Sequence, residues 1–221
     1  MTTIDSTRET PTTPTAIQFA VSRVMRESWM VYKSQFFPLL AAVAAVYGVI
    51  ILFNWTLNLV MPPPTGQIEP SDKMIAALLM LPFCALLVFL LNGLNLFILN
   101  ICRADRPHYA LLWAGGPRFF RVFKAWWIGY HIFEFLGCSQ MFMLVLDKGV
   151  SPSDAAIQSK GLSRGHAAQI FKLMVIVCCI VFSFFLLLPI LLLPFLHVVR
   201  IVTYLHLSGE TPMTCRGTMR T

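Results

Sequence analysis

The sequence DKGVSPSDAAIQSKGLSRGHAAQIFK at residues 147–172 runs directly into LMVIVCCIVFSFFLLLPILLLPFLHVV at residues 173–199. The first segment is charged and prone to form helices, whereas the second contains no Asp, Glu, Lys or Arg. An uncharged stretch longer than about 18 residues is typical of a chain in lipid rather than of a soluble core. We therefore expect the first segment to lead the chain to a membrane surface and the second to enter the membrane.

The overall composition also indicates an integral membrane protein. Hydrophobic residues make up 57% of the 221 residues, charged residues only 12%, and the mean hydropathy is +0.72. The formal charge of +7 is interpreted as a topology signal, because Lys and Arg gather in cytoplasmic loops. No basic stretch is interleaved with exposed aromatic residues, so we expect no binding of nucleic acid. The cysteines show no CxxC spacing, and we expect buried thiols in a reducing compartment.

The chain is predicted to form one membrane domain with short tails. Residues 1–15 are polar and rich in Thr and Pro, which predicts a disordered tail. Residues 16–209 are assigned to a single integral membrane domain, and residues 210–221 to a C-terminal tail. From Ala16 an amphipathic pattern predicts a helix at the cytoplasmic interface, with Val21, Val24 and Val31 on its apolar face. A solvated segment leading into the first span is the alternative.

Two long apolar segments predict a membrane-crossing helix pair. Phe36–Val60 is uncharged and long enough to span, and it carries a stripe of small residues suited to helix packing, namely Ala41, Ala45 and Gly48. Met74–Cys102 returns across the membrane. The loop between them contains Lys73 as its one basic residue, which places it outside, whereas the basic loop at residues 103–124 is expected in the cytoplasm.

The remaining apolar segments leave two topologies open. A single crossing by Ala125–Leu146 would put the basic segment that follows outside, against the distribution expected of Lys and Arg. A hairpin of two short helices would keep that segment inside, and Leu173–Leu207 would likewise bend at Pro189 and Pro194 and return. We therefore predict an all-α, polytopic transmembrane helical bundle with about four to six membrane segments, some short or re-entrant, and amphipathic interfacial helices. Four straight spans with one basic loop outside are the alternative.

Two parts of the chain follow the same design, a polar amphipathic segment that feeds an apolar run. The sequence RESWMVYKSQFFPLLAAV at residues 26–43 can be aligned with IQSKGLSRGHAAQIFKLMVIV at residues 157–177. In this alignment Ser28 corresponds to Ser159, and Lys33 to Arg164. The pattern predicts a duplicated unit made of a helix and a membrane hairpin.

The same residues carry a resemblance to a known family. The sequence MLVLDKGVSPSDAAIQSKGLSRGHAAQIFKLMVIV at residues 143–177, with PFLHVVRIVTYLHLSGE at residues 194–210, resembles the membrane domain of bacterial glycerophosphoryl diester phosphodiesterases and related multi-pass proteins. Four features match the family pattern. They are the turn at residues 145–149, the polar helical segment at residues 155–164 that leads into the apolar run, Pro194 and Tyr204. Ala125–Leu146 is shorter than its counterpart and lacks an Ile-Pro-Gly break. Nothing resembling the family's catalytic domain is present, so the resemblance implies a fold and a membrane location but no activity.

Polar residues within the apolar segments are the candidate functional residues. A charged group is costly in lipid, so each is expected to find a partner or water. The predicted intramembrane polar cluster consists of Asn92, Asn95, His131, Glu134, His197 and Arg200. We expect the asparagines to form hydrogen bonds between helices, with a polar path as the alternative.

Three interpretations of the ionisable members of this cluster are open. The first is a pair that closes the bundle, in which Glu134 binds Arg200 or His131. The second is a metal site at His131 and Glu134, which would need further convergent ligands. The third is simple interfacial placement, with Arg200 extended toward water and His131 beside neighbouring aromatic residues.

The sequence favours a function without catalysis. It contains no nucleophile elbow, Walker loop or dinucleotide fingerprint, and we expect no enzyme activity, no cofactor and no resident metal. We predict a module of the cell membrane with both termini in the cytoplasm that contacts the lipid bilayer and acts with a protein partner or as a homo-oligomer. The alternative is a small transporter or channel-like protein with a polar path through His131, Glu134 and Arg200.

Overall fold

The described part of the chain is helical throughout. The computed structural model describes residues 20–60, 70–104, 106–131, 140–184, 189–210 and 212–213, and these contain no β-strand. Eight α-helices and one short 3-10 helix lie in these ranges: α1 (Val21–Ser34), α2 (Phe36–Val60), α3 (Pro70–Ala104), the 3-10 helix (Tyr109–Trp113), α4 (Phe119–His131), α5 (Met141–Lys148), α6 (Pro152–Ser163), α7 (Ala167–Phe184) and α8 (Pro189–Leu207). The all-α prediction is confirmed for these residues. The predicted tail at residues 1–15 lies outside them.

Two of these helices are long and apolar enough to cross a membrane. They contain the segments Phe36–Leu57 of α2 and Met80–Ala104 of α3. The two helices form an antiparallel pair, because Phe53 near the end of α2 stacks on Phe83 near the beginning of α3 with ring centroids 5.4 Å apart. Shorter apolar stretches lie in α7 and α8. Among the described residues, two helices therefore meet the length and composition of a span, and the larger number expected is not confirmed.

The core lies around one end of the α2–α3 pair. It joins the first half of α2 and the second half of α3 to α1, α5 and α8, with Leu39, Leu94 and Leu144 fully buried. The other end of the pair projects beyond this core and exposes large apolar side chains such as Leu52 and Leu81. The small-residue stripe predicted to pack on α2 faces outward, because the buried face of α2 is the one that carries Leu39.

Residues 125–146 form parts of two helices rather than one straight span. α4 ends at His131 and α5 begins at Met141, and residues 132–139 between them are outside the described part. Arg118, just before α4, donates hydrogen bonds to the carbonyl oxygens of Leu146 and Asp147 at the end of α5. The beginning of α4 therefore lies beside the end of α5, so the two helices run in opposite directions, as in the hairpin that the sequence favoured.

The C-terminal apolar segment is also divided into two helices. α7 ends at Phe184 and α8 begins at Pro189, and the two pack against each other. Pro189 occupies the first position of α8, where its missing amide hydrogen is not needed. Pro194 lies inside α8 and does not end it, which differs from the predicted bend there.

The predicted duplication is visible in the order of the elements. In each half a shorter helix (α1 or α6) leads across a short junction into an apolar helix (α2 or α7) and then into a second one (α3 or α8). Ser28 and Ser159 are both fully buried, and Lys33 and Arg164 are both exposed at the junction. The aligned residues thus occupy matching environments, which supports a repeated unit of two halves.

The loop after α3 folds back along that helix. Tyr109 stacks on Phe97 at 5.3 Å between ring centroids. Two glycines permit this contact. A Cβ atom on Gly93 would lie 1.9 Å from the carbonyl oxygen of Leu112, and one on Gly115 would lie 2.1 Å from that of Phe89. Both positions exclude any larger residue, so the loop is fixed against the middle of α3.

Candidate functional site at one end of the bundle

Arg103 is the centre of a charged cluster that joins three parts of the chain. It lies in the last turn of α3, and its guanidinium binds two carboxylates. Nη1 and Nη2 donate to Asp147 at 2.6 and 2.7 Å, while Nε and Nη2 donate to Glu210 at 2.9 Å. Each carboxylate is bound through two parallel hydrogen bonds, the strongest geometry available to an arginine. The cluster thereby ties α3 to the end of α5 and to the segment after α8.

Asp147 is also bound by the hydroxyl of Tyr204 on α8. The hydroxyl donates to Oδ2 at 2.7 Å, and the Tyr204 ring is fully buried. Burial alone would raise the pKa of the Asp147 carboxyl, but the hydrogen bonds from Arg103 and Tyr204 outweigh burial and hold the pKa below its ordinary value. Asp147 is therefore an ionised acceptor of three hydrogen bonds, and Glu210 is a second carboxylate bound to Arg103.

The end of α5 is fixed from the opposite side by two further arginines. Arg118 binds the carbonyl oxygens of Leu146 and Asp147, and Arg121 donates to that of Gly149 at 2.6 Å. These are carbonyls that a helix leaves without internal partners at its C-terminus, where cations are also favoured by the helix dipole. Gly149 ends α5 with a φ of +67°, and a Cβ there would lie 3.4 Å from the Arg118 guanidinium. Glycine suits both the backbone and the close contact.

A second ionic group lies between α1 and α8 and is almost completely buried. Glu27 and His206 lie 2.7 Å apart between Oε2 and Nε2, and each side chain is 1% exposed. Arg23, one turn before Glu27 on α1, donates to its Oε1 at 2.8 Å. Burial raises the pKa of Glu27, but the hydrogen bonds from His206 and Arg23 lower it by a larger amount. The pKa of Glu27 therefore lies below its ordinary value. The Nδ1 atom of His206 has no hydrogen-bond partner.

Both ionic groups lie at the same end of the bundle. Arg103, Asp147 and His206 occupy the last turns of α3, α5 and α8, respectively. Arg118 and Arg121 stand at the beginning of α4. The far ends of α2 and α3, with their exposed apolar side chains, lie at the opposite end of the molecule. We call the residues Arg23, Glu27, Arg103, Arg118, Arg121, Asp147, Tyr204, His206 and Glu210 the polar end.

The predicted residues of α8 face three different neighbours. His197 lies 3.2 Å from the hydroxyl of Tyr47 on α2, measured from Nε2. The Arg200 guanidinium lies 5.9 Å from the centre of the Phe142 ring on α5, within the range of a cation–π contact. Tyr204 binds Asp147. The structure thus uses this face of α8 to join α2 and α5 rather than to form one cluster.

The other predicted residues stay separate from this group. Asn92 and Asn95 are buried on α3, and the Nδ2 atom of Asn92 and the Oδ1 atom of Asn95 have no hydrogen-bond partner. Glu134 lies outside the described residues, and so does the side chain of His131 at the end of α4. The predicted pairing of Glu134 with Arg200 or His131 therefore stays a prediction. Within the described ranges, no three His, Cys, Asp or Glu side chains are grouped as metal ligands.

Sequence reasoning missed the polar end, although one signal for it was present. Glu27 follows Val24 by three residues and precedes Val31 by four, so it falls on the apolar face of α1 and had to be buried with a partner. Arg103 and its two carboxylates offered no such signal, because they are 44 and 107 residues apart in sequence.

The contacts of the polar end hold several helices together. Each of its three carboxylates binds side chains of the same group: Asp147 binds Arg103 and Tyr204, Glu27 binds Arg23 and His206, and Glu210 binds Arg103. Comparison of the chain with family models, with curated proteins and with solved structures finds no match.

Proposed function

We propose that the protein is a multi-pass protein of the cytoplasmic membrane and acts there as a non-catalytic module that contacts lipid and a protein partner or a second copy of itself. The observation that carries the proposal is the exposure of its two apolar helices. Only 22% of an 18-residue apolar stretch within Phe36–Leu57, and 44% of one within Met80–Ala104, is buried within the protein. The core helix of a soluble protein would be mostly buried, whereas these helices need lipid or another chain to cover them.

The polar end supports an orientation for this module. Three of its arginines, Arg103, Arg118 and Arg121, stand at one end of the bundle, and the loop between α2 and α3 at the other end contains little positive charge. Since Lys and Arg gather on the cytoplasmic side, we assign the polar end to the cytoplasmic face. α1 packs along α8, with Glu27 beside His206 at the polar end and Tyr32 beside Phe195 farther from it. The resemblance to phosphodiesterase membrane domains stays a proposal.

A second candidate function, a small transporter, is favoured by one observation. Asn92 and Asn95 bury amide atoms without hydrogen-bond partners in the middle of an apolar helix. A passing solute or a chain of water molecules would supply those partners. The module is the preferred proposal, because the ionic groups of the polar end bind one another.

The membrane setting can be tested with a pair of matched charge substitutions. Leu52 on α2 and Ile157 on α6 are exposed to a similar extent, 61% and 70%. We expect Leu52→Lys to reduce the amount of protein in the membrane fraction, since a lysine facing the bilayer core costs about 2–4 kcal/mol. Ile157→Lys on the polar helix α6 should have little effect. Equal effects, or recovery of Leu52→Lys as a soluble protein, would contradict the proposal.

The mode of action can be tested on the full chain extracted in a mild detergent. We expect native mass spectrometry to find a second copy or a protein partner bound to it. Solute flux in proteoliposomes by a chain that stays monomeric, with flux reduced in Asn92→Leu, would favour the transporter instead.

A further inference from the structure

The loop after α3 and the beginning of α4 carry positive charge that no acidic residue of the same segment balances. Residues 106–124 contain no Asp or Glu and four basic side chains, those of Arg106, Arg118, Arg121 and Lys124. Arg118 and Arg121 bind carbonyl oxygens at the end of α5. Arg106 and Lys124 are exposed and form no ion pair with any residue that the structure describes. This surface therefore favours an acidic partner.

Two aromatic rings project from the same segment. Trp113 at the end of the 3-10 helix is 68% exposed, and Phe120 in the first turn of α4 is 83% exposed. Phe120 and Lys124 lie four residues apart on α4 and share its outer face, opposite buried Val122. The exposure of these rings could not be read from the sequence, which had indicated no basic stretch with exposed aromatic residues. Aromatic rings beside basic side chains are typical of a protein surface at the lipid headgroups.

The contact of the 3-10 helix with α3 indicates the depth of this segment in a bilayer. Leu112 packs on Gly93, which lies 19 residues after Met74, where the uncharged part of α3 begins. At the rise of an α-helix this separation is about 28 Å, and the hydrocarbon core of a bilayer is about 30 Å thick. The 3-10 helix therefore meets α3 where α3 passes from the hydrocarbon into the headgroups on the cytoplasmic side.

Both exposed rings lie close to this level. Trp113 belongs to the 3-10 helix itself. Gly116 lies beside the Phe89 ring, about one turn of α3 from Gly93. A turn closed by a main-chain hydrogen bond of 3.0 Å joins Gly116 to the beginning of α4, so Phe120 lies within about 10 Å of Gly116. The two rings are thus presented at the depth that aromatic side chains favour in membrane proteins.

We propose that residues 106–124 anchor the protein to anionic phospholipid of the cytoplasmic leaflet. Trp113 and Phe120 insert at the boundary between headgroups and acyl chains, and Arg106 and Lys124 bind the phosphate groups. A soluble acidic partner would need both rings in water, whereas the contact with α3 places them beside lipid. The proposal rests on the membrane setting proposed above and adds the class of lipid that the protein contacts.

The depth of the segment can be measured by fluorescence quenching on the full chain in nanodiscs. Trp113→Cys on a cysteine-free background carries a bimane label, and quenching by a nitroxide on the lipid acyl chain is compared with quenching by aqueous iodide. Ile157→Cys on α6 is the matched control, because Ile157 is 70% exposed. Leu52→Cys on α2 reports the membrane setting itself. We expect lipid quenching at positions 113 and 52, and iodide quenching at position 157.

The class of lipid can be tested with spin-labelled lipids in nanodiscs of phosphatidylcholine. The association of spin-labelled phosphatidylglycerol with the protein is compared with that of spin-labelled phosphatidylcholine, and we expect the former to be stronger. A basic residue near an anionic surface strengthens binding about fivefold, so Arg106→Gln and Lys124→Gln should each reduce the preference by up to about that factor. The matched control is Lys148→Gln, which removes an exposed charge beside Asp147 at the polar end and should keep the preference.

Two results would overturn the proposal while the membrane setting stands. One is iodide quenching at position 113 together with lipid quenching at position 52. Protection of position 113 by added RNA or an acidic peptide would then assign the surface to a soluble acidic partner. The other is the absence of a phosphatidylglycerol preference, or an equal loss of it in Lys148→Gln. If lipid quenches neither position 113 nor position 52, the proposed membrane function fails together with this one.

Discussion

Replacing Asp147 by Asn should destabilise the protein strongly, because Asp147 is the shared acceptor of the polar end. Its carboxylate accepts two hydrogen bonds from Arg103 and one from Tyr204, at 2.6–2.7 Å, and is only 12% exposed. An asparagine has the same shape but no charge, and it places an NH₂ group against one of these donors.

The size of the effect follows from what remains after the substitution. A hydrogen bond to a charged group contributes about 1.5–3 kcal/mol. Arg103 is 36% exposed and keeps its contacts with Glu210, so water and the second carboxylate compensate for part of the loss. The buried Tyr204 hydroxyl has no such compensation. We therefore expect Asp147→Asn to lower the free energy of unfolding by about 2–3 kcal/mol.

The assay is unfolding by sodium dodecyl sulfate in mixed micelles, followed by tryptophan fluorescence. Asp154→Asn is the matched control, since Asp154 is an exposed carboxylate in the same segment whose loss should cost about 0.5 kcal/mol. A double-mutant cycle of Asp147→Asn with Tyr204→Phe should give a coupling energy of about 1 kcal/mol or more. A loss for Asp147→Asn no larger than the control, with no coupling to Tyr204, would refute the reasoning.

Three further outcomes are expected from the same contacts. The pKa values of Asp147 and Glu27 are lowered in the folded protein, so the two carboxylates stabilise the fold above about pH 4. This stabilisation should be lost as the pH falls further, and a series of unfolding measurements at decreasing pH tests the loss. Glu27→Ala should lower the free energy of unfolding by about 3–5 kcal/mol in the micelle assay, because it leaves buried His206 without its partner; a cost below 1 kcal/mol would count against a buried ionic contact. Gly93→Ala should lower the Tm and displace the loop after α3, whereas Gly48→Ala on α2, with open space around the position, should leave the Tm unchanged or raise it; similar Tm values for the two variants would argue against the close contact.

The features that sequence predicted well are those that depend on neighbouring residues. α2 occupies the bounds predicted from its uncharged run, Phe36–Val60, and α3 extends the predicted Met74–Cys102 by four residues at its beginning and two at its end. The division of residues 125–146 was predicted from charge, since a single crossing would misplace the basic segment after it. In each case the physical cause, hydropathy or the distribution of Lys and Arg, is a property of a short stretch of chain.

The features that sequence did not predict depend on distant residues meeting. Nothing near Arg103 indicates that its partners are Asp147 and Glu210, and Glu210 is the first residue of the segment assigned to a C-terminal tail. His197 and Arg200 were assigned to one polar cluster, and their separate partners on α2 and α5 follow only from the packing of whole helices.

The most direct test of the central claim, a membrane protein with its polar end in the cytoplasm, is cysteine accessibility in intact cells. Single cysteines are placed on a cysteine-free background at Gly66, between α2 and α3, and at Ser153, next to the polar end. A membrane-impermeant reagent should label position 66 in intact cells, and position 153 only after the membrane is opened. Labelling of position 153 from outside, or protection of both positions until the cells are opened, would contradict the account.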